Sequence, residues 1–444
     1  MSTNVRWLRE QTEKWVAQGV VSADQAARIR AFYPEPAAGL PWAMLIFSGL
    51  GAVVVGLGVI LLFAYNWDAL PRGVKLAVIL GAWGAAHGAG LWRLRGDVRW
   101  RGLGEALGLL GTMMFGAAIW LIAQIYNIEE HFPNGFLYWG LGALALAWAL
   151  PSAVQGLMAA VLLAIWSGSE AAGFGAPVLW APAAILAATV PLAWRQNSVA
   201  LLFVAVAAAS VATWINAGAV GSDLVLRTGL SLGALWVAVG ALSRQRQWLG
   251  QGAWVWSGLG WAQVLLAAYL LSFPGLAYEL LAHHEYSGVE RDAFWQVNLW
   301  LPLGVAIAAW AAVAVGGRDV GIKPSEVGWR YEDWVTLAAA LVAAALAYVP
   351  LERGEWLASG LFNLLGLLLA VAWMARGCRE GRWQPTLAGT VLFVALALAR
   401  YFDLFESLAW RGLVFLVAGG ALFATGMQYT RARKRRDAEK GGAS

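Results

Sequence analysis

Long stretches without a charged residue dominate this chain. Pro36 to Trp67 holds 32 residues with no Asp, Glu, Lys or Arg, Phe132 to Ser169 holds 38, and Gln247 to Tyr278 another 32. A helix crossing hydrocarbon needs about 20 mostly apolar residues, because no water is present there to satisfy backbone N–H and C=O groups. Each run therefore predicts one or two membrane helices, and Pro151 divides the second run into two joined by a tight turn. The pattern predicts spans beginning near Trp42, Val74, Leu103, Phe136, Ser152, Ala176, Val199, Leu224, Gly252, Val297, Trp334, Trp356, Pro385 and Arg411. Some connections, such as those at Pro151 and between Trp194 and Val199, are short enough for neighbouring spans to merge. The expected fold is an all-α, polytopic transmembrane helical bundle of about 14 spans (12–14).

The two ends read differently. Residues 1–41 form a mostly polar segment, 42–428 the bundle, and 429–444 a basic tail. Val5, Leu8, Thr12 and Trp15 recur at helical spacing, and Gly19 ends that helix. Ser22-Ala-Asp-Gln25 then has capping-box form, in which the hydroxyl reaches forward and the amide reaches back. Ile29, Phe32 and Tyr33 supply a second apolar face, so a small cytoplasmic helical hairpin is expected. Two short helices bury too little to stand alone. Residues 1–35 are therefore expected to pack on the membrane face or on a protein partner. The first span follows 41 residues of tail and is expected to stay as an anchor.

Composition agrees with the span reading. Charged residues are 13% of the 444 and hydrophobic ones 60%, too few charges to cover the surface of soluble domains of this size. A single cysteine, Cys378, excludes an intrachain disulfide framework. Orientation follows from Lys and Arg. With fourteen spans, 24 basic residues fall on the side of both termini and seven on the other. Both termini are thus expected in the cytoplasm. The positive balance is a topology signal and gives no reason to expect nucleic acid. The run Arg431-Ala-Arg433-Lys434-Arg435-Arg436 is placed to attract anionic lipid headgroups. Trp42, Trp92, Trp100, Trp329, Trp334 and Trp410 lie near span ends, as an interfacial belt requires.

Candidate chemistry is sparse. Polar residues gather where spans meet the expected outer face: Asn66, Asp68 and Arg72 at the first turn, Gln124, Tyr126, Asn127 and His131 at the second, and Arg400 and Asp403 near the last. Short loops closed by caps and ion pairs account for them, for example Asp68 with Arg72. A polar vestibule that gathers a cation or a sugar-like headgroup is the sharper alternative. Within the hydrocarbon, His87 and Glu105 are costly unless they face the bundle interior or water. For Glu105 an i,i+4 ion pair with Arg101 is the simple reading. For His87, among small residues from Gly84 to Gly90, it is an interhelical hydrogen bond, with a proton relay as the alternative. His283-His284-Glu285 is not a metal site, because adjacent helical residues point about 100° apart. No zinc-protease helix, phosphate-binding loop or serine-nucleophile elbow is recognised, and no cofactor is implied.

Several motifs carry a resemblance. They are Leu62-Phe-Ala-Tyr65-Asn-Trp-Asp68-Ala-Leu-Pro71-Arg72, Glu105-Ala-Leu-Gly, Ala123-Gln-Ile-Tyr126-Asn127, and Phe132-Pro-Asn-Gly135. With the Trp15 to Tyr33 pattern, they resemble the prokaryotic integral membrane proteins filed as domain of unknown function 2157, over roughly residues 1–150. That resemblance implies a multi-pass protein of the bacterial inner membrane. It implies no activity and no catalytic residues. Three readings stay open: a transporter or flippase for a small solute, ion or lipid-linked molecule, a non-catalytic assembly or envelope-stress component, and a membrane enzyme acting on lipid-linked substrates.

Overall fold

The computed structural model describes residues 2–32, 70–95, 101–128, 131–150, 152–246, 252–281, 296–319, 334–346 and 351–403, with isolated positions at 416, 419, 420 and 423. Every regular element among the described residues is helical. The chain divides into two units, 1–78 and 79–444.

In the first unit, α1 (Ser2–Ala17) and α2 (Ala23–Phe32) touch one another. Gly19, at φ +72°, lets the chain leave α1, and Val20 N–H bonds the Trp15 carbonyl at 2.9 Å. The capping box is formed in both directions: Gln25 N–H donates to Ser22 Oγ at 3.2 Å, and Ser22 N–H donates to Gln25 Oε1 at 2.9 Å. Among the described side chains of this pair, Thr12 and Ala26 are buried. Removing the cap with Ser22→Ala should destabilise α2 by about 1 kcal/mol. Amide hydrogen exchange over 23–32 should then speed up while α4 (Arg101–Tyr126) is unchanged.

The second unit begins inside α3 (Arg72–Arg95) and continues through α4. Then come α5 (Pro133–Ala149), α6 (Ala153–Phe174), α7 (Ala181–Arg195), α8 (Val199–Val220), α9 (Ser222–Arg246) and α10 (Ala253–Leu271). A short α11 (Pro274–Leu281) precedes a π turn at Gln296–Trp300, then α12 (Leu301–Asp319), α13 (Trp334–Leu346), α14 (Leu351–Glu380) and α15 (Trp383–Asp403). All but α11 begin within five residues of a span start expected from the hydrophobic pattern. Among the described residues, seven helices are long and apolar enough to cross a membrane: α3, α4, α6, α8, α9, α10 and α14. Shorter apolar helices cover Leu301–Val313, Trp334–Ala345 and Trp383–Leu398. The spans expected at Trp42 and Arg411 lie outside the described residues.

The turns are chemically specific. Asn127 at φ +50° closes α4, with Ile128 N–H on the Ala123 carbonyl at 2.9 Å. Asn197 at φ +48° closes α7 in the same way, and Ser198 caps α8 by accepting from Leu201 N–H at 3.2 Å. Asparagine tolerates this left-handed conformation better than other side chains do.

Small residues set the helix spacing. The backbones of α9 and α10 meet where a Cβ on Gly260 would lie 2.7 Å from the Gly233 carbonyl oxygen. A Cβ on Gly90 in α3 would lie 2.9 Å from the Gly108 nitrogen in α4. Among the seven long apolar helices α9 is the most buried, packed by α8, α10, α11, α12 and α13. Its buried positions are mostly apolar but include Arg227, Thr228, Ser231 and Ser243.

Candidate functional site

Polar side chains tie α4, α5 and α6 together. The buried Thr112 hydroxyl lies 2.9 Å from Gln155 Oε1, and Trp139 Nε1–H donates to the Thr112 carbonyl at 2.7 Å. In hydrocarbon such bonds fix which helix faces meet. Toward the C-terminal ends of α6 and α8, Asn216 does similar work. Its Nδ2 donates to Ser167 Oγ at 2.8 Å and to the Ala212 carbonyl at 2.7 Å, while its Oδ1 accepts from Val178 N–H. The contacts Gly156 to Leu201, Gly168 to Ile215 and Ser167 to Asn216 show that α6 and α8 run parallel, with α7 returning between them in sequence.

At that same end lies a buried carboxylate. Glu170, in the last turn of α6, is 9% exposed. Its Oε1 accepts from Trp166 Nε1–H at 3.2 Å, and its Oε2 lies 2.6 Å from Nε2 of His131, just ahead of α5. The His131 ring packs on Phe174 with centroids 4.0 Å apart, and Phe174 packs on Phe132 at 5.4 Å. Trp166 in turn meets Trp180 at 5.5 Å. The carboxylate is thus held by two nitrogens, with Phe174 packed on the His131 ring, Phe132 on Phe174, and Trp180 on Trp166.

Phe132 also belongs to a groove of about 710 Å³ between α6 and α8. Its walls are Val161, Ile165, Val204, Val211 and Ile215, and its floor is small, with Ala164, Gly168, Ala172 and Ala208. Ser169 is the one lining residue with a polar side chain. Glu170 does not line the groove, but its neighbour Ser169 does, as does Phe132, which packs on Phe174. Val161 to Gly173 covers about 18 Å at 1.5 Å per helical residue, close to the roughly 15 Å depth of one leaflet's hydrocarbon. Val161, Ile165 and Val211 are exposed on the bundle surface, so the groove opens sideways.

Two of the motifs that carry the resemblance flank His131. Ala123-Gln-Ile-Tyr126-Asn127 ends α4, and Phe132-Pro-Asn-Gly135 starts α5. Residues 13–156 match the family described as predicted membrane protein, domain of unknown function 2157. The match covers about a third of the chain, taking in His131 and Phe132 and ending before Glu170. No curated protein and no solved structure matches the chain. The family match and the apolar helices together make this a membrane protein with several spanning helices.

The structure describes only some of the expected site residues. Asn66 and Asp68 lie outside the described residues. Arg72 is exposed at the first residue of α3, in the first unit. In the family-matched region Gln124, Tyr126 and Asn127 are exposed at the end of α4, where the Asn127 backbone terminates the helix. Arg400 and Asp403 are in the last turn of α15, their side chains outside the described set. His131 alone of the expected outer group is engaged in an ionisable pair among the described residues, and its partner Glu170 was not anticipated. Glu170 ends the 38-residue uncharged run, one helical turn after Trp166, which is the signal that marks it in the sequence.

His87 is placed otherwise than expected. Its Nδ1 lies 3.3 Å from the Trp83 carbonyl of its own helix, in place of an interhelical bond. The ring packs against Gly111 of α4, where any Cβ would collide with it, and Nε2 is buried without a hydrogen-bond partner among the described residues. Glu105 is half-buried on α4, and the Arg101 side chain expected beside it is outside the described set. Gly229-Leu-Ser231-Leu-Gly233 has the letters of a nucleophile elbow but lies inside α9, where a strand-to-helix turn cannot form. No group of three metal-ligating side chains occurs among the described residues.

Proposed function

We propose that this protein is a multi-pass protein of the bacterial inner membrane that takes a lipid or lipid-linked molecule from the outer leaflet, as a transporter or flippase does. The groove between α6 and α8 carries this reading. It is about one leaflet deep and apolar along its length, with Phe132 in its lining next in sequence to the His131 of the polar pair, the profile of a lipid. A water-soluble solute would find almost no hydrogen-bond partner there.

On this reading the chain has about fourteen spans and both termini are cytoplasmic. The positions of the helix starts and the distribution of Lys and Arg support that topology. In it α6 and α8 end at the outer face, as does the segment carrying His131. Asn66, Asp68, Arg72, Gln124, Tyr126 and Asn127 contribute to the polar rim of that face, with Arg400 and Asp403. His87 and Glu105 serve as intramembrane ionisable groups. The hairpin 1–35 docks on a protein partner, and the tail 431–436 binds anionic headgroups.

The test fills the groove. Ala172 lines it and is exposed, so Ala172→Trp adds bulk without disturbing the core. Native mass spectrometry of purified protein should find bound lipid on the wild type and about tenfold less on the variant. Lipid movement in proteoliposomes should fall in parallel. Unchanged lipid occupancy and unchanged movement in a folded Ala172→Trp protein would remove the proposal.

A further inference from the structure

The groove accounts for a chain but not for Glu170. A carboxylate at a membrane-helix end normally reaches water or pairs with Arg or Lys. Glu170 is buried, and its partners among the described residues are an indole N–H and an imidazole, with neither Lys nor Arg. Each carboxylate oxygen accepts more than one hydrogen bond, and each has a single partner here. An anion so placed favours a cation beside it, the more strongly because the surroundings are apolar.

The rings near it have the same preference. Trp166, Trp180, Phe174 and Phe132 cluster at this end of α6, and aromatic faces attract ammonium groups and give nothing to phosphate or carboxylate. Phe132 belongs both to this cluster and to the groove wall, so the two features are continuous. Resting on the groove reading above, we propose that the ligand is an amine-bearing lipid. Its chain lies between α6 and α8, and its ammonium group sits at the aromatic end with Glu170 as counter-ion. An anionic lipid of the same chain would place its charge against the carboxylate and bind less well.

The test compares lyso-lipids with one identical chain by native mass spectrometry of the full-length protein in detergent. Lysophosphatidylethanolamine should bind about tenfold more tightly than lysophosphatidylglycerol. N-acetylation of its amine, which removes the positive charge, should abolish the preference with the protein unchanged. Glu170→Gln, shown to be folded by its melting profile, should bind both lipids at the lysophosphatidylglycerol level. Ala172→Trp should lose both. Equal binding of amine, acetylated and glycerol lipids, all lost in Ala172→Trp, would overturn the amine assignment and leave the groove reading standing. No saturable binding of any of them would overturn both. Competition by glycerophosphoethanolamine at equal concentration would identify a soluble amine, and so overturn the assignment to a lipid.

Discussion

Gly260→Leu should unfold the protein in detergent at a much lower temperature than the wild type, with a loss of about 3 kcal/mol or more. The added Cβ would stand 2.7 Å from the Gly233 carbonyl oxygen and 2.8 Å from the Val237 nitrogen, both backbone atoms of α9. No side chain can rotate away to relieve this, so the two helices must separate. Because α9 is packed by five helices, separating it from α10 disturbs its contacts with the other four as well. Gly258→Leu is the matched control, two residues away on the same helix, where an added Cβ finds its nearest atom at 4.0 Å in the Trp254 ring. It should change stability by less than about 0.5 kcal/mol. Equal melting temperatures for the two variants would show that α9 and α10 do not cross at these glycines.

Asn216→Ala should have the next largest effect, a loss of about 2 kcal/mol. The amide makes three bonds, to Ser167 of α6, to the Ala212 carbonyl, and from Val178 N–H in the α6–α7 connection. Side-chain hydrogen bonds between membrane helices average about 0.6 kcal/mol each, and the orphaned Val178 amide adds a desolvation penalty. Hydrogen exchange should report the change locally, with faster exchange at Val178 and in the last turns of α6 and α8. Faster exchange confined to α2 or α14, with Val178 still protected, would contradict the assignment.

Both effects concern side chains or backbones far apart in sequence, and that separation explains what could be read in advance. The helix positions were legible because the requirement for an unbroken apolar run is local to each segment. So was the capping box at Ser22 and Gln25, where both partners lie within four residues. The glycines around His87 announced a close helix approach, and Gly90 does cross Gly104 and Gly108. Which hydrogen bond His87 itself makes depended on the facing residue, and that residue is Gly111, which has no side chain to offer. Asn127 reads as a polar site residue in sequence, yet its φ shows a backbone role that the residue type alone could not distinguish.

Glu170 marks the boundary most clearly. As a residue it is one acid at the end of an uncharged run, and nothing nearby in sequence except Trp166 says what it does. Its pairing with His131 bridges 39 residues and requires α5 and α6 to pack in one register. The groove likewise needs two helices 45 or so residues apart to run parallel with small residues facing between them. The sequence by itself determined that this chain has several membrane-spanning helices and near which residues the described helices start, because lipid imposes those demands on each segment separately. Only the tertiary structure decided which helix faces meet, since steric fit between glycines and bulky side chains is a property of pairs of segments. From that fit came an enclosed carboxylate at the end of an apolar groove.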